Sequence, residues 1–242
     1  MTFPLNVLDG QTAIVTGASS GIGLSITRML FEAGCKVAVV GRSTGRLASA
    51  VESIPSQQHL VCECDVRSNA AVDAMVARVE QTWGSIDILV NSAGLFQVAS
   101  LVETTNELWD DMWQTNVTGT FYPTRAVLPG MLQRGKGTIV MVSSVAAHRN
   151  YSGNTAYGAS KYAVTGFARA LSTEVRRKGI RVVNVMAGPV DTPIWDGMET
   201  PMARGEMLTA DEVARATISA MSVSETQVIE DVLLLPQNGL YF

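Results

Sequence analysis

No apolar run in this 242-residue chain approaches the roughly 18 residues that a membrane-spanning helix needs. The opening MTFPLNVLDG lacks the basic-then-apolar layout of a secretory leader, so a cytoplasmic location is expected. Blocks of like charge are missing too. The 18 basic and 22 acidic residues are interspersed and leave a net charge of −4, which argues against a nucleic-acid footprint and against a polybasic membrane anchor. The expected partner is a small molecule. Cysteine is scarce and odd in number: Cys35, Cys62 and Cys64. The last two alternate in LVCECDV along a predicted strand, so buried free thiols are expected rather than a disulfide or a metal site. No repeat, low-complexity tract or linker interrupts the chain. A single domain over residues 1–242, with ample core at 47% hydrophobic residues, is the expectation.

What the chain does have is alternation. Short β-branched runs recur at residues 12–18, 36–42, 60–66, 86–94, 137–144 and 181–188, and QVIEDVLLLP near the end makes a seventh. Several are apolar on both faces, as strands of a parallel sheet covered on both sides must be. Between the first two, Ile22, Ile26, Met29, Leu30 and Ala33 fall at helical spacing and Gly34 supplies a stop; residues 70–84 repeat the arrangement. Strand alternating with helix predicts an α/β, Rossmann-like doubly wound parallel sheet of about seven strands, helices on both faces.

The first strand runs into TGASSGIG, with Gly17, Gly21 and Gly23 opening the first helix. In such a unit one glycine allows the tight turn, another lets backbone approach a ligand, and the last lets helix pack closely on strand. The helix N-terminus presents unpaired N–H groups and the positive end of its dipole, and Ser19 and Ser20 add hydroxyls, so the loop suits a pyrophosphate. The spacing is GxxxGxG, preceded by Thr16, and further signatures follow in order: NSAG at 91–94, Asn116 in TNVTGT, Ser143 and Ser144, YGASK at 157–161, and AGPVDT at 187–192. Together these resemble the short-chain dehydrogenase/reductase family of the TGxxxGIG and YxxxK type, over nearly the whole chain.

The resemblance implies a dinucleotide held by Gly17, Ser19, Ser20, Gly21, Ile22 and Gly23, with Asp65 and Val66 beside the adenine, and Asn91, Ala93 and Gly94 lining the cofactor. Ser92 stands where the family usually has a second asparagine. NAD-specific members carry an acid at the end of the second strand; here that position is Gly41, followed by Arg42 and Ser43. A guanidinium can hold a 2′-phosphate that a carboxylate would repel, so NADP(H) is expected over NAD(H). Pro189, Val190 and Thr192 match the family's nicotinamide-binding loop, although Ala187 replaces its usual proline.

The resemblance further implies a catalytic set of Asn116, Ser144, Tyr157 and Lys161. Tyr157 and Lys161 lie four apart in a predicted helix and so share a face. The expected general acid is Tyr157, with Lys161 lowering its pKa; moving a tyrosine from about 10 to about 7 requires roughly 4 kcal/mol of differential stabilisation. Ser144 is expected to polarise the substrate oxygen, and Asn116 to hold a water that links the lysine to solvent. Residues 193–208 correspond to the family's variable substrate lid, apolar through Ile194, Trp195, Met198, Met202 and Met207, with Arg204 its one cation. His148, Tyr151, Leu95 and Phe96 are expected to face the same pocket.

The implied activity is NADP(H)-dependent interconversion of a ketone or aldehyde and an alcohol. One alternative is a 3-oxoacyl-carrier-protein reductase, disfavoured because Gly135 and Thr173 stand where those enzymes typically have arginine; another is a non-catalytic NADP-binding regulator. The family's subunits pair through the helices that here carry Trp109, Trp113, Phe121 and Tyr157 and through the last strand, so a homotetramer is expected.

Overall fold

The computed structural model describes residues 7–198, 200 and 202–239. In chain order the elements are β1 (Thr12–Thr16), α1 (Gly21–Glu32), β2 (Lys36–Gly41), α2 (Thr44–Ala50), β3 (His59–Glu63), α3 (Asn69–Trp83) and β4 (Ile88–Asn91). They continue with α4 (Asn106–Met112), a π-helical turn (Trp113–Thr118), α5 (Gly119–Arg134), β5 (Gly137–Val142), α6 (Thr155–Val175) and β6 (Ile180–Ala187). The last part holds β7 (Val190–Asp191), β8 (Leu208–Thr209), α7 (Ala210–Met221) and β9 (Asp231–Leu234). Seven strands form one parallel sheet in the order β3-β2-β1-β4-β5-β6-β9. This is the predicted Rossmann-like doubly wound arrangement.

Period-two alternation sorts the strand side chains between the two faces. Ala13 and Val15 of β1 and Val37 and Val39 of β2 join Ile26, Leu30, Val213 and Ile218 on the α1 and α7 side. Their neighbours Ile14, Ala38 and Val40 join Val72, Val79, Val127, Met131 and Val164 on the α3, α5 and α6 side. Full burial of each valine, leucine, isoleucine or methionine among them contributes roughly 1.5–3 kcal/mol, so a polar residue in any one of these rows would be strongly destabilising.

Strand order reverses between β1 and β4, and the crevice beyond the strand ends at such a point is where doubly wound sheets bind ligands. Several predicted strands stop short of their expected ends. β3 ends at Glu63 rather than residue 66, β4 at Asn91 rather than 94, and β5 at Val142 rather than 144. In each case the extra residues turn off the sheet and line the crevice. The pair β7–β8, joined at Val190↔Leu208 and Asp191↔Thr209, was not legible from such short runs. It ties together the two ends of the lid, so Leu208, expected to lie within the lid, belongs to its anchor.

Candidate active site

Thr16 ends β1 opposite Asn91 of β4, and its Oγ1 accepts from the N–H groups of Ser92 and Ala93, both at 3.1 Å. That bond draws the NSAG turn against the glycine loop. Gly17 has φ +67, and a Cβ there would lie 2.8 Å from the Ala93 nitrogen, so both its conformation and its space require glycine. A Cβ on Gly23 would collide with the Gly17 carbonyl. Ser20, the N-cap of α1, makes no side-chain capping bond, which leaves the first turn's N–H groups without that partner.

The uncapped turn opens into a cleft of about 370 Å³, lined on this side by Gly17, Ser19, Ser20, Gly21, Ile22 and Gly23. Ser92, Ala93, Gly94, Tyr157, Lys161 and Thr192 line it toward the sheet. Its far rim carries Arg42, Arg46, Asp65, Val66 and Arg67. Arg67 grips Asp65 through Nε at 3.0 Å and Nη2 at 2.7 Å and reaches Asp111 at 3.2 Å. The Arg67 hydrogen bond holds the Asp65 carboxyl below the usual range, so this acid stays ionised and fixed in place. Ser43 does not line the cleft; it is the N-cap of α2 and accepts from the Arg46 N–H. Asn91 is buried beneath the cleft, its Nδ2 donating to Thr124 Oγ1 at 3.0 Å, and thus acts on the sheet end rather than at the surface. A helix terminus without a cap at one end and two arginines at the other can hold a phosphate-bearing ligand between them.

Tyr157 stands where this cleft meets a second, smaller cavity of about 100 Å³. Burial pushes its phenol up to about 12, with a hydrogen bond from Ser144 pulling the other way. Burial also brings Lys161 down to about 8. The Lys161 Nζ lies 5.7 Å from the centre of the Tyr157 ring and donates to the Val142 carbonyl at 2.9 Å. Burial thus favours the neutral form of both groups and opposes the lowering of Tyr157 that the resemblance implied.

Asn116 lies in the π-helical turn, a local widening of the helix that often marks functional sites. Its Oδ1 accepts from Leu95 N–H at 2.7 Å, and its Nδ2 donates to the Leu95 carbonyl and to Ser160 Oγ, both at 2.9 Å. It clamps the chain just after NSAG. Across Gly94 it faces the lysine, since a Cβ on Gly94 would be 3.5 Å from Asn116 Oδ1 and 3.8 Å from Lys161 Nζ. Ser144 accepts from Ala146 N–H at 3.1 Å, whereas Ser143 is engaged with Thr165 at 2.9 Å.

The smaller cavity is lined by Phe96, Ser144, Tyr151, Tyr157, Pro189, Val190, Thr192, Ile194 and Trp195, among others. Phe96 packs edge-on against both Tyr157, at 4.7 Å, and Trp195, at 4.9 Å. Met202, Met207 and Met198 complete this cluster, so the lid is closed over the phenol. His148 is different: it is exposed and lines neither cavity, because the short 3-10 turn at Val145–Ala147 carries it outward. Arg46, Arg67 and Thr115 line the cleft without having been anticipated. For Arg46 a signal existed in RSTGR, a second arginine one helical turn after Arg42; Arg67 and Thr115 carry no sequence mark of their own.

Residues 11–202 match the family described as short chain dehydrogenase. An uncharacterized oxidoreductase of Staphylococcus saprophyticus is 35% identical over 232 residues, 95% of this chain and 98% of that one. A solved structure of serine dehydrogenase, in its closed form with NADP+, superposes with TM-score 0.87 at 30% identity, covering 96% of this chain and 97% of the other. The alcohol dehydrogenase of the archaeon Thermococcus sibiricus, complexed with 5-hydroxy-NADP, gives TM-score 0.86 at 25% identity over 93% and 96% of the two chains. With its glycine loop, NSAG turn and Tyr157–Lys161 pair set around one crevice, this chain belongs to the short-chain dehydrogenase family.

Proposed function

We propose that residues 1–242 form an NADP(H)-dependent oxidoreductase that interconverts a ketone or aldehyde and its alcohol, with Tyr157 as general acid and base. The observation that carries this reading is the position of Tyr157, which lines both the large cleft and, beside Ser144, the small cavity. Arg42 and Arg46 on the adenosine rim favour the 2′-phosphorylated cofactor. Two structural neighbours were solved with NADP+ or an NADP derivative, which supports the same choice.

When bound, the nicotinamide supplies a hydride to the carbonyl carbon or accepts one from the alcohol. In reduction the C=O π pair moves to oxygen, and Tyr157 Oη delivers the proton that this oxygen needs. With its phenol at about 12, Tyr157 holds that proton throughout the physiological range. Ser144 aligns the oxygen with Tyr157. As a base in alcohol oxidation, Tyr157 needs added positive charge nearby, which Lys161 and an oxidised nicotinamide together provide. In this reading Lys161 resupplies the proton, and Asn116, which faces it across Gly94, would hold the water that links it to solvent.

The carrier-protein reductase reading is weakened by the region around Gly135, where a basic patch would have to form. Arg134 is turned to the Ile86 carbonyl at 2.5 Å and Lys136 toward Glu225 at 3.9 Å. A regulator without activity would not need Ser144, Tyr157, Lys161 and Asn116 all in place. We read the assembly as a homotetramer, supported by the exposed Trp109, Phe121 and Tyr162 on α4, α5 and α6 and by Leu233 on the edge strand β9. A cytoplasmic site of action agrees with three buried free thiols. NADPH consumption on a panel of small ketones and aldehydes is the test of the activity. Turnover with NADPH at least about tenfold above that with NADH is expected; no consumption of NADPH by any member would contradict the reading.

A further inference from the structure

We propose that the substrate is a small uncharged carbonyl compound or its alcohol, recognised through one oxygen, and that Arg204 serves the lid rather than a substrate carboxylate. This rests on the function proposed above and adds the class of molecule.

Residues 193–208 contain one cation, Arg204, against Asp196, Glu199 and Glu206. Arg204 donates to Asp191 Oδ1 at 3.0 Å and to Asp196 Oδ1 at 2.7 Å, and so joins the strand that anchors the lid to the lid's first turn. The guanidinium is held by two carboxylates, and the trio has a net charge of −1 by count. An anionic substrate would meet repulsion there instead of a free partner. Among the described residues lining the small cavity there is no lysine, arginine or histidine. Lys161 lines the cofactor cleft and donates to Val142, and His148 points to solvent.

The polar atoms that do border the cavity are mostly engaged. Trp195 Nε1 donates to the Val190 carbonyl at 3.0 Å, and Ser143 is held by Thr165 at 2.9 Å. Burial pushes the Tyr151 phenol up, so it is neutral. Among the described lining residues, Ser144 and Tyr157 are the pair we assign to the substrate, matched to one oxygen, while Phe96, Val145, Ala187, Ile194 and Trp195 present apolar surface around it. A carboxylate placed among these groups would lose its hydration without gaining a charged partner. The cavity, about 100 Å³ beside a cleft of about 370 Å³, also restricts the enclosed part of the substrate to a small group.

The test compares methyl acetoacetate and 2-butanone with acetoacetate, and 2-butanol with L-serine, using the full chain and NADPH or NADP+. Binding of NADPH is followed separately by its fluorescence. The expected result is kcat/KM about a hundredfold higher for methyl acetoacetate than for acetoacetate, and no measurable oxidation of L-serine. Equal or better use of acetoacetate or L-serine would overturn the inference while leaving the oxidoreductase reading standing. Bound NADPH with no turnover of any compound in the set, neutral or charged, overturns both, and failure to bind NADPH overturns the reading of the cofactor. Arg204→Met adds a second readout. It should raise KM for neutral and charged compounds alike by a few-fold, as expected for a half-exposed ionic latch; a loss confined to acetoacetate would identify Arg204 as a carboxylate reader and contradict the proposal.

Discussion

The cofactor side of the crevice hangs from strand ends, whereas the substrate side hangs from a two-residue pairing, one ionic trio and an aromatic cluster. Thr16, Gly17, Ser92 and Ala93 are fixed by the register of β1 against β4 and by backbone contacts closer than a methyl group allows. The lid is fixed by Val190↔Leu208, by Arg204 with its two aspartates and by Phe96 between Tyr157 and Trp195. The first construction tolerates almost no change. The second depends on adaptable methionines and half-exposed charges, and it can vary without disturbing the sheet. Tyr157 belongs to both, carried by the long helix α6 and covered by the lid.

The sharpest break between the two sides should come from Tyr157→Phe. It removes the proton donor and keeps the ring that packs on Phe96, so turnover should fall about a hundred- to ten-thousandfold with NADPH affinity unchanged. Rapid-mixing kinetics together with fluorescence titration measure the two quantities. Turnover within a few-fold of wild type would remove Tyr157 from the chemistry.

Next in size are Arg42→Ala and Arg46→Ala, which act on the cofactor side alone. Each should weaken binding of 2′,5′-ADP roughly ten- to a hundredfold, by about 1.5–3 kcal/mol, and leave 5′-ADP nearly unaffected. Calorimetry of both nucleotides separates a phosphate contact from a surface arginine, since a surface residue would change neither.

Trp195→Ala tests the opposite side. Losing the ring that closes on Phe96 should raise KM for a ketone about tenfold without altering 2′,5′-ADP affinity. A parallel loss of nucleotide affinity would mean that the two sides are one rigid unit.

The smallest expected effect is one of pH on stability. Lys161 sits at about 8 in the folded protein against 10.5 ordinarily. Between those values the unfolded chain binds more protons, so this lysine makes stability rise with pH from about 8 upward. Denaturant midpoints of the cofactor-free wild type, minus those of Lys161→Met, should show that rise. A flat difference would place the lysine at an ordinary pKa.

The same contrast explains what was legible in the chain. The sheet could be read because β-branched runs such as KVAVVG and GTIVMV are buried on both faces, which leaves few alternatives. Gly17, Tyr157 and Lys161 could be placed because tight backbone contacts and a shared helix face impose fixed residue types and spacings. Arg67 and Thr115 could not, since their arrival at the cleft depends on how β3 and the π-helical turn end in three dimensions. His148 falls outside for a related reason: its distance along the chain from Ser144 suits either orientation of the intervening turn. The raised Tyr157 pKa was illegible because the balance between burial and a neighbouring charge depends on depth, which spacing does not encode.

The central claim is hydride transfer to a neutral carbonyl with the proton supplied by Tyr157. Its most direct test is single-turnover reduction of methyl acetoacetate with NADPH deuterated at the transferring position, followed by mass spectrometry of the alcohol. Wild type should place one deuterium on the carbinol carbon, with a primary isotope effect on the rate, and Tyr157→Phe should bind the cofactor and yield at most about a hundredth of that product in the same time. Deuterium transfer by Tyr157→Phe at the wild-type rate, or none by wild type with the cofactor bound, would contradict the account.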